Sequence, residues 1–336
     1  MLAINLGTPD APEPRAIRRY LRQFLSDPRV VELPRWRWWP VLYGIVLPLR
    51  PRRVAKLYRT VWTAEGSPLL AISRRQARGL ADRLATSSGE AVQVELGMRY
   101  GNPSIGSALR ALQARGCERI LAFPLFPQYA AATTASALDE VARELRSFRR
   151  WPHLRAIAGY HDHAGYLDAL AASIVETWRD GGPPERLVCS YHGIPERYYR
   201  HGDPYPDQCH DTTRRLATRL PLETTKILTT FQSQFGRERW VAPATDATLQ
   251  TLAREGVRHV GVVCPGFSAD CLETLEEIDG QNRELFLHAG GETFRFVPCL
   301  NDRDDHLDAL ADIARRDLAG WLDELREAPL RQWAGA

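Results

Sequence analysis

PSIGSALRALQARGCERILAFPLF, residues 103–126, is the stretch on which the fold turns. Leu109 and Leu112 share one face of an amphipathic helix over 104–115, Gly116 ends that helix, and the apolar run 119–123 reads as a buried strand closed by Pro124. The pattern then returns. In PATDATLQTLAREGVRHVGVVCPGF, residues 243–267, Pro243, Leu249, Leu252, Gly256 and His259 stand 140 positions after Pro103, Leu109, Leu112, Gly116 and Arg119. A strand over 259–264 follows and leads to Pro265-Gly-Phe. A second echo pairs Leu6-Gly-Thr-Pro9 with His192-Gly-Ile-Pro195, each at a strand end. Two echoes in the same order predict two similar halves.

Working outward, short apolar runs alternate with longer amphipathic ones. Strands over 2–6, 91–97, 119–123, 186–191 and 259–264 precede helices over 15–25, 104–115, 134–149, 207–220 and 272–286. This rhythm predicts an α/β fold of two Rossmann-like, doubly wound halves with parallel sheets and a cleft between them. The arginine-rich helix end before Trp151-Pro152 suggests an N-terminal half over 1–150 and a C-terminal half over 151–336. Ligands in such folds lie beyond the carboxyl ends of the strands, so chemistry is sought there.

Composition narrows the function. The chain has 336 residues, 44% hydrophobic and 25% charged, with a formal net charge of +3, too balanced for a nucleic-acid binder that works by massed charge. The six cysteines are scattered without a CxxC pair, so most read as plain buried thiols. MLAINLG, residues 1–7, enters a strand with no charged leader, and a reducing cytoplasm is the expected location. The longest apolar run, 41–49, is interrupted by Pro48 and falls short of the roughly 20 residues a membrane span needs. No GxSxG, Walker A or complete GxGxxG is present, so hydrolase, phosphoryl-transfer and dinucleotide readings lack their loops.

Two strand-end segments can carry chemistry. SYHGIPERY, residues 190–198, puts His192 where a buried strand gives way to a Gly-Pro loop, a place that exposes a side chain to a cleft. CPGFSADCLETLEEI, residues 264–278, opens a helix expected over 270–286 on which Asp270, Glu273 and Glu277 share one face. Asp270 also fits a simple N-cap. Stacked carboxylates repel one another, and facing a histidine they make sense if they pass protons or a divalent cation that must move. His161-Asp162-His163 reads as capping or surface residues, His201, His210 and His306 as polar loop or cap positions, and 304–326 as the last helix. The segment 36–53, WRWWPVLYGIVLPLRPRR, is aromatic and aliphatic with basic ends. It reads as an exposed apolar lip for a greasy ligand or a membrane interface, with arginines for carboxylates or lipid phosphates.

These motifs resemble the ferrochelatase family, closest to its proteobacterial protoporphyrin type, over nearly the whole chain. The resemblance rests on INLGTPD at 4–10, GSPL at 66–69, MRYGNPS at 98–104, PLFPQYAAATT at 124–134, GDPYPDQC at 202–209 and TFQSQFG at 230–236, together with the two segments above. It implies insertion of Fe²⁺ into protoporphyrin IX with release of two protons, the last step of haem biosynthesis, in a cleft between two Rossmann-like halves. By motif it implies His192 and Glu273 as the catalytic pair at the iron, with Asp270 and Glu277 continuing the acidic ladder toward the metal. Which of His192 and Glu273 takes the pyrrole protons stays open. The resemblance further places Leu6, Tyr58, Arg99 and Tyr100 on the opposite face of the macrocycle. Arg50, Arg53 and Ser233 would meet the propionates, and Trp240 and Phe267 would pack on the ring. Fe²⁺ is expected as substrate rather than cofactor. Since the cysteine-rich extension of some members is absent, no [2Fe-2S] cluster is expected. Cys271 stands where animal members have histidine. Trp36, Trp38 and Trp39 begin the lip, which implies peripheral contact with the inner face of a membrane. A chelatase for another tetrapyrrole, such as coproporphyrin or sirohydrochlorin with iron or cobalt, and a haem carrier or sensor are the competing readings. A carrier would have no use for three acids in a row.

Overall fold

The computed structural model describes residues 1–85, 92–179, 181–236 and 238–322. Ala91 of the expected strand and residues 323–326 of the expected last helix lie outside the described residues.

Among the described residues eight strands form two sheets: β1 Leu2–Thr8, β2 Glu95–Gly101, β3 Arg119–Pro124 and β4 His153–Ala156 in one, β5 Arg186–His192, β6 Ile227–Gln232, β7 His259–Val263 and β8 Thr293–Val297 in the other. The orders are β2-β1-β3-β4 and β6-β5-β7-β8, with every pairing parallel, so both halves share one topology. The two echoes fall on equivalent places. Helix Ile105–Ala114 feeds β3 as helix Thr245–Arg254 feeds β7. His192 is the last residue of the central strand β5, and Leu6 lies two residues before the end of the central strand β1. Pro103 and Pro243 each follow a cis peptide bond.

Burial on both faces explains the near-continuous apolar strands, since helices cover each side of a parallel sheet. Leu121 and Phe123 of β3 join Leu187, Cys189 and Tyr191 of β5 in one core cluster, which binds the halves together. Strand β4 pairs Arg119 with His153 and Leu121 with Arg155, so the first sheet continues past Trp151-Pro152. The last helix, Asp304–Leu318, packs back on helix Pro68–Leu84 and on β3 of the first half.

Beyond shifted ends, such as β2 at Glu95–Gly101 instead of 91–97 and a helix from Asp304 that ends at Leu318 instead of 326, two elements change character. The acidic segment is a π-helix, Glu273–Asn282, followed by α-helix Arg283–His288, rather than one α-helix over 270–286. The lip is helical throughout. Helix Arg35–Val41 contains Pro40, a π-turn follows at Leu42–Val46, and helix Leu47–Val61 contains Pro51. A proline removes a backbone donor and crowds the preceding turn, and the wider π-turn between them accommodates the misfit.

Candidate functional site

His192 is the last residue of β5 and half-buried. Its Nδ1 lies 2.7 Å from the Gly193 carbonyl oxygen. A carbonyl only accepts, so the ring donates from Nδ1 and Nε2 carries the free lone pair of the neutral imidazole. Across from it, the Glu277 carboxylate accepts from the Ser233 backbone N–H at 2.7 Å and the Ser233 hydroxyl at 2.5 Å. Ser233 adopts a left-handed φ of 63°, which turns both donors toward the acid. Burial raises the Glu277 carboxyl above its ordinary range, the Ser233 bonds and nearby His192 oppose that rise, and Glu273 adds to it. Histidine, two glutamates and the β6 turn therefore form one electrostatic unit.

Glu273 opens the π-helix directly after Leu272, whose side chain packs with Leu6, Tyr20, Tyr58 and Tyr100. Burial holds the Tyr58 hydroxyl well above its ordinary range, and the Glu273 charge adds to that, while bonds with Thr8 and Tyr20 pull the other way. Gly7 makes the close approach of β1 and β2 possible here. At φ 109° it has no room for a Cβ, which would stand 1.8 Å from the Tyr100 carbonyl oxygen. Trp240 donates to the Phe235 carbonyl at 2.9 Å and its ring lies 3.2 Å from where a Cβ on Gly193 would stand, so it flanks the histidine loop. Phe267 is half-buried against Leu69, Ile72, Ala269 and Cys271.

The structure separates the remaining expected residues. Asp270 precedes the π-helix, and its carboxylate accepts from Thr274 Oγ1 at 3.0 Å, Cys299 N at 3.2 Å and Asn301 Nδ2 at 2.7 Å. With three donors on it and 6% exposure, Asp270 is buried and engaged, whereas Glu273 and Glu277 are half-buried. Among the described residues no three His, Cys, Asp or Glu side chains converge to hold a metal ion. Arg99 also turns inward. It pairs with Asp27, donates to Ser136 Oγ at 2.7 Å and stands 3.5 Å from Glu140, while Tyr100 donates to Asp27 at 2.8 Å. Although burial pushes Asp27 up, the bonds from Ser136 and the Arg29 N–H and the charge of Arg99 hold it below the usual carboxylate range. Arg50 and Arg53 are exposed at the lip, Arg50 with its guanidinium 5.5 Å from the Phe235 ring of the opposite half.

The tryptophans divide. Trp36 and Trp39 are 71% and 51% exposed beside exposed Tyr43, Ile45 and Leu49, whereas Trp38 donates to the Leu25 carbonyl at 2.6 Å and packs into the tyrosine cluster. His163 caps helix Ala164–Glu176 and contacts Asp312 at 3.0 Å, in line with the capping reading. His306, expected in a polar loop or cap, is instead fully buried in the first turn of helix Asp304–Leu318. Tyr20 was missed by sequence reasoning. It stacks on Phe24 one helical turn away, and its approach to Tyr58, Tyr100 and Glu273 arises only on folding.

Two matched parallel sheets with a strand-end histidine and a half-buried acid pair define a chelatase-type protein. The chain is similar to SirB from Bacillus subtilis with Fe³⁺ at a TM-score of 0.55 and 15% identity, over 77% of this chain and 95% of that one. It is similar also to the sirohydrochlorin chelatase SirB from Bacillus subtilis subspecies spizizenii in complex with cobalt, at a TM-score of 0.51 and 14% identity, over 75% and 92%. These likenesses speak to the fold. A family model described as Ferrochelatase matches residues 1–318. Proteins named Ferrochelatase from Thioalkalivibrio sulfidiphilus and Yersinia enterocolitica are 56% and 50% identical over 96% and 95% of the chain, covering 87% and 98% of their own lengths. The chain belongs to the ferrochelatase family, and it is a lyase that inserts iron into protoporphyrin in haem synthesis.

Proposed function

We propose that His192, Glu273 and Glu277 carry the insertion step, His192 as the base for the pyrrole protons and Glu273 as the group that meets the incoming cation. A planar porphyrin blocks its centre with two N–H groups. Insertion therefore needs a proton acceptor on one side and a ligand that exchanges for water on a divalent cation. The observation that supports this assignment is the lone pair left on His192 Nε2 by its Nδ1 bond to Gly193, next to a glutamate whose proton affinity is raised by burial. Glu277, its proton affinity raised by burial and its carboxylate tied to Ser233, suits the hand-over of protons rather than tight retention of a metal. Asp270, with its carboxylate saturated by three donors, takes a supporting place in this reading and Arg99 shapes the wall. Leu6, Trp240 and Phe267 offer flat and apolar surface for the macrocycle, Tyr58 and Tyr100 are buried behind that surface, and Arg50 and Arg53 offer charge for its carboxylates.

The decisive experiment is anaerobic insertion of Fe²⁺, or Zn²⁺ as surrogate, followed by porphyrin absorbance. His192→Ala is expected to lower kcat by about 10²–10⁴-fold. Wild-type turnover in that variant would remove His192 from the chemistry. Running protoporphyrin beside coproporphyrin in the same assay fixes the carboxylate count that the lip accepts.

The exposed apolar side chains of the lip support a second part of the proposal, that the enzyme rests on a membrane surface through Trp36, Trp39, Ile45 and Leu49. No helix among the described residues is long and apolar enough to cross a membrane. Co-sedimentation with anionic vesicles is expected for the wild type and weakened when Trp36 and Trp39 become serine. Equal sedimentation of both would refute the contact.

A further inference from the structure

We infer that Gln232 is a positioning residue that fixes the separation between His192 and Glu273; the inference rests on the role proposed for Glu273. Gln232 ends β6 and is 2% exposed. Its backbone carbonyl accepts from the Gly193 N–H at 2.7 Å, one residue beyond His192, and its side-chain Nε2 donates to the Glu273 backbone carbonyl at 3.0 Å. One residue thus holds the base-bearing loop with its main chain and the first turn of the acidic π-helix with its side chain.

The orientation of the amide is set from behind. Gln232 Oε1 accepts from Ser190 Oγ at 2.8 Å and faces Cys264 Sγ at 3.6 Å, so the NH₂ group must point to Glu273. Ser190 has spent its only proton on Gln232 and accepts from Thr245 Oγ1 at 2.8 Å, which leaves Thr245 to accept from Thr230 Oγ1 at 2.8 Å. The result is a one-way chain of donors, Thr230 to Thr245 to Ser190 to Gln232 to Glu273, whose members polarise one another. All four of its side chains are buried at 2% exposure or less. At that burial all four sit behind the molecular surface rather than on it. A wholly structural network would have no need to end on the carbonyl of the glutamate that meets the metal, nor to share its last residue with the histidine loop.

The test uses Gln232→Met, which keeps length and apolar volume but removes the side-chain amide's hydrogen bonds, and Ser190→Ala, a smaller change that removes the proton orienting the amide together with the acceptor of Thr245. Gln232→Met is expected to lower kcat by about 10–100-fold with the porphyrin dissociation constant, read by fluorescence quenching, within about 2-fold of wild type, since misplacing a reacting group by an ångström costs on that scale. Ser190→Ala is expected to lower kcat by about 3–10-fold alone and to add nothing in the Gln232→Met background, because it acts through the same amide. Should Gln232→Met fail to fold by circular dichroism, Ser190→Ala and Thr245→Val carry the test through the same split between kcat and porphyrin binding. Wild-type kcat in a folded Gln232→Met, multiplicative losses in the double variant, or weakened porphyrin binding in proportion to lost turnover would each overturn the inference. Glu273→Gln is measured alongside. If it abolishes turnover while Gln232→Met does not, only the positioning role falls; if it retains wild-type turnover, the role proposed for Glu273 falls instead.

Discussion

His306 sits wholly inside the protein with Nδ1 2.8 Å from the Asn301 carbonyl oxygen and Nε2 without a partner among the described residues. Burial lowers it from its ordinary 6.5 to about 4. The folded state therefore keeps the ring neutral where an unfolded chain would protonate it. Stability is full above pH 6.5 and falls as pH drops toward 4, by about 3 kcal/mol for that 2.5-unit gap. His306→Leu should flatten this part of the stability profile in urea titrations run between pH 4 and 7. An unchanged slope would assign it to other groups. Asp270 lies close by in the same network, because Asn301 accepts from its N–H at 2.8 Å and donates to its carboxylate. Asp270→Ala strips an acceptor from three donors and is expected to cost about 2–4 kcal/mol in chemical denaturation. A variant as stable as wild type would return Asp270 to the acidic ladder.

At the scale of elements, the lip and the π-helix show how a motif is divided between function and support. Trp36, Trp38 and Trp39 are crowded in sequence, but a helix sends neighbours in different directions, so one of the three enters the core. Trp38→Ser is expected to destabilise by about 2 kcal/mol through lost packing and the lost bond to Leu25. Trp36→Ser and Trp39→Ser should each stay within about 0.5 kcal/mol of wild type in the same thermal or urea measurement, as exposed positions do. Equal losses at all three positions would contradict the division. The π-helix does something similar for the acids. With each N–H reaching five residues back, Glu273 and Glu277 remain neighbours on the inner side, while Asp270 is left outside the helix and is free to bond Asn301 and Cys299.

In the whole molecule, the halves are joined by the core between the sheets and by the returning helix Asp304–Leu318. Gly79 of helix Pro68–Leu84 lets helix Asp304–Leu318 approach, since a Cβ there would stand 2.5 Å from a Leu307 methyl. Gly79→Val is expected to cost about 1–3 kcal/mol by overpacking that junction, read from the urea midpoint, and no loss would show that Leu307 simply swings aside. What the sequence determined by itself was the doubled parallel architecture and the two strand-end motifs. Helix periods, buried apolar runs and the glycines and prolines that stop them are local signals, and a repeat at a fixed offset needs no partner to be seen. Strands β4, β6 and β8 lie outside the runs read as strands, and β4 is a four-residue edge with three exposed positions and no alternating pattern. The fates of polar side chains were settled only by tertiary structure. Asp270 meets Asn301 across 31 positions, Arg99 meets Asp27 across 72, and Gln232 meets Glu273 across 41. Hydrogen bonds are short-ranged and directional, so whether a carboxylate faces a cleft or is consumed by a neighbour depends on which distant segment folding brings within about 3 Å of it.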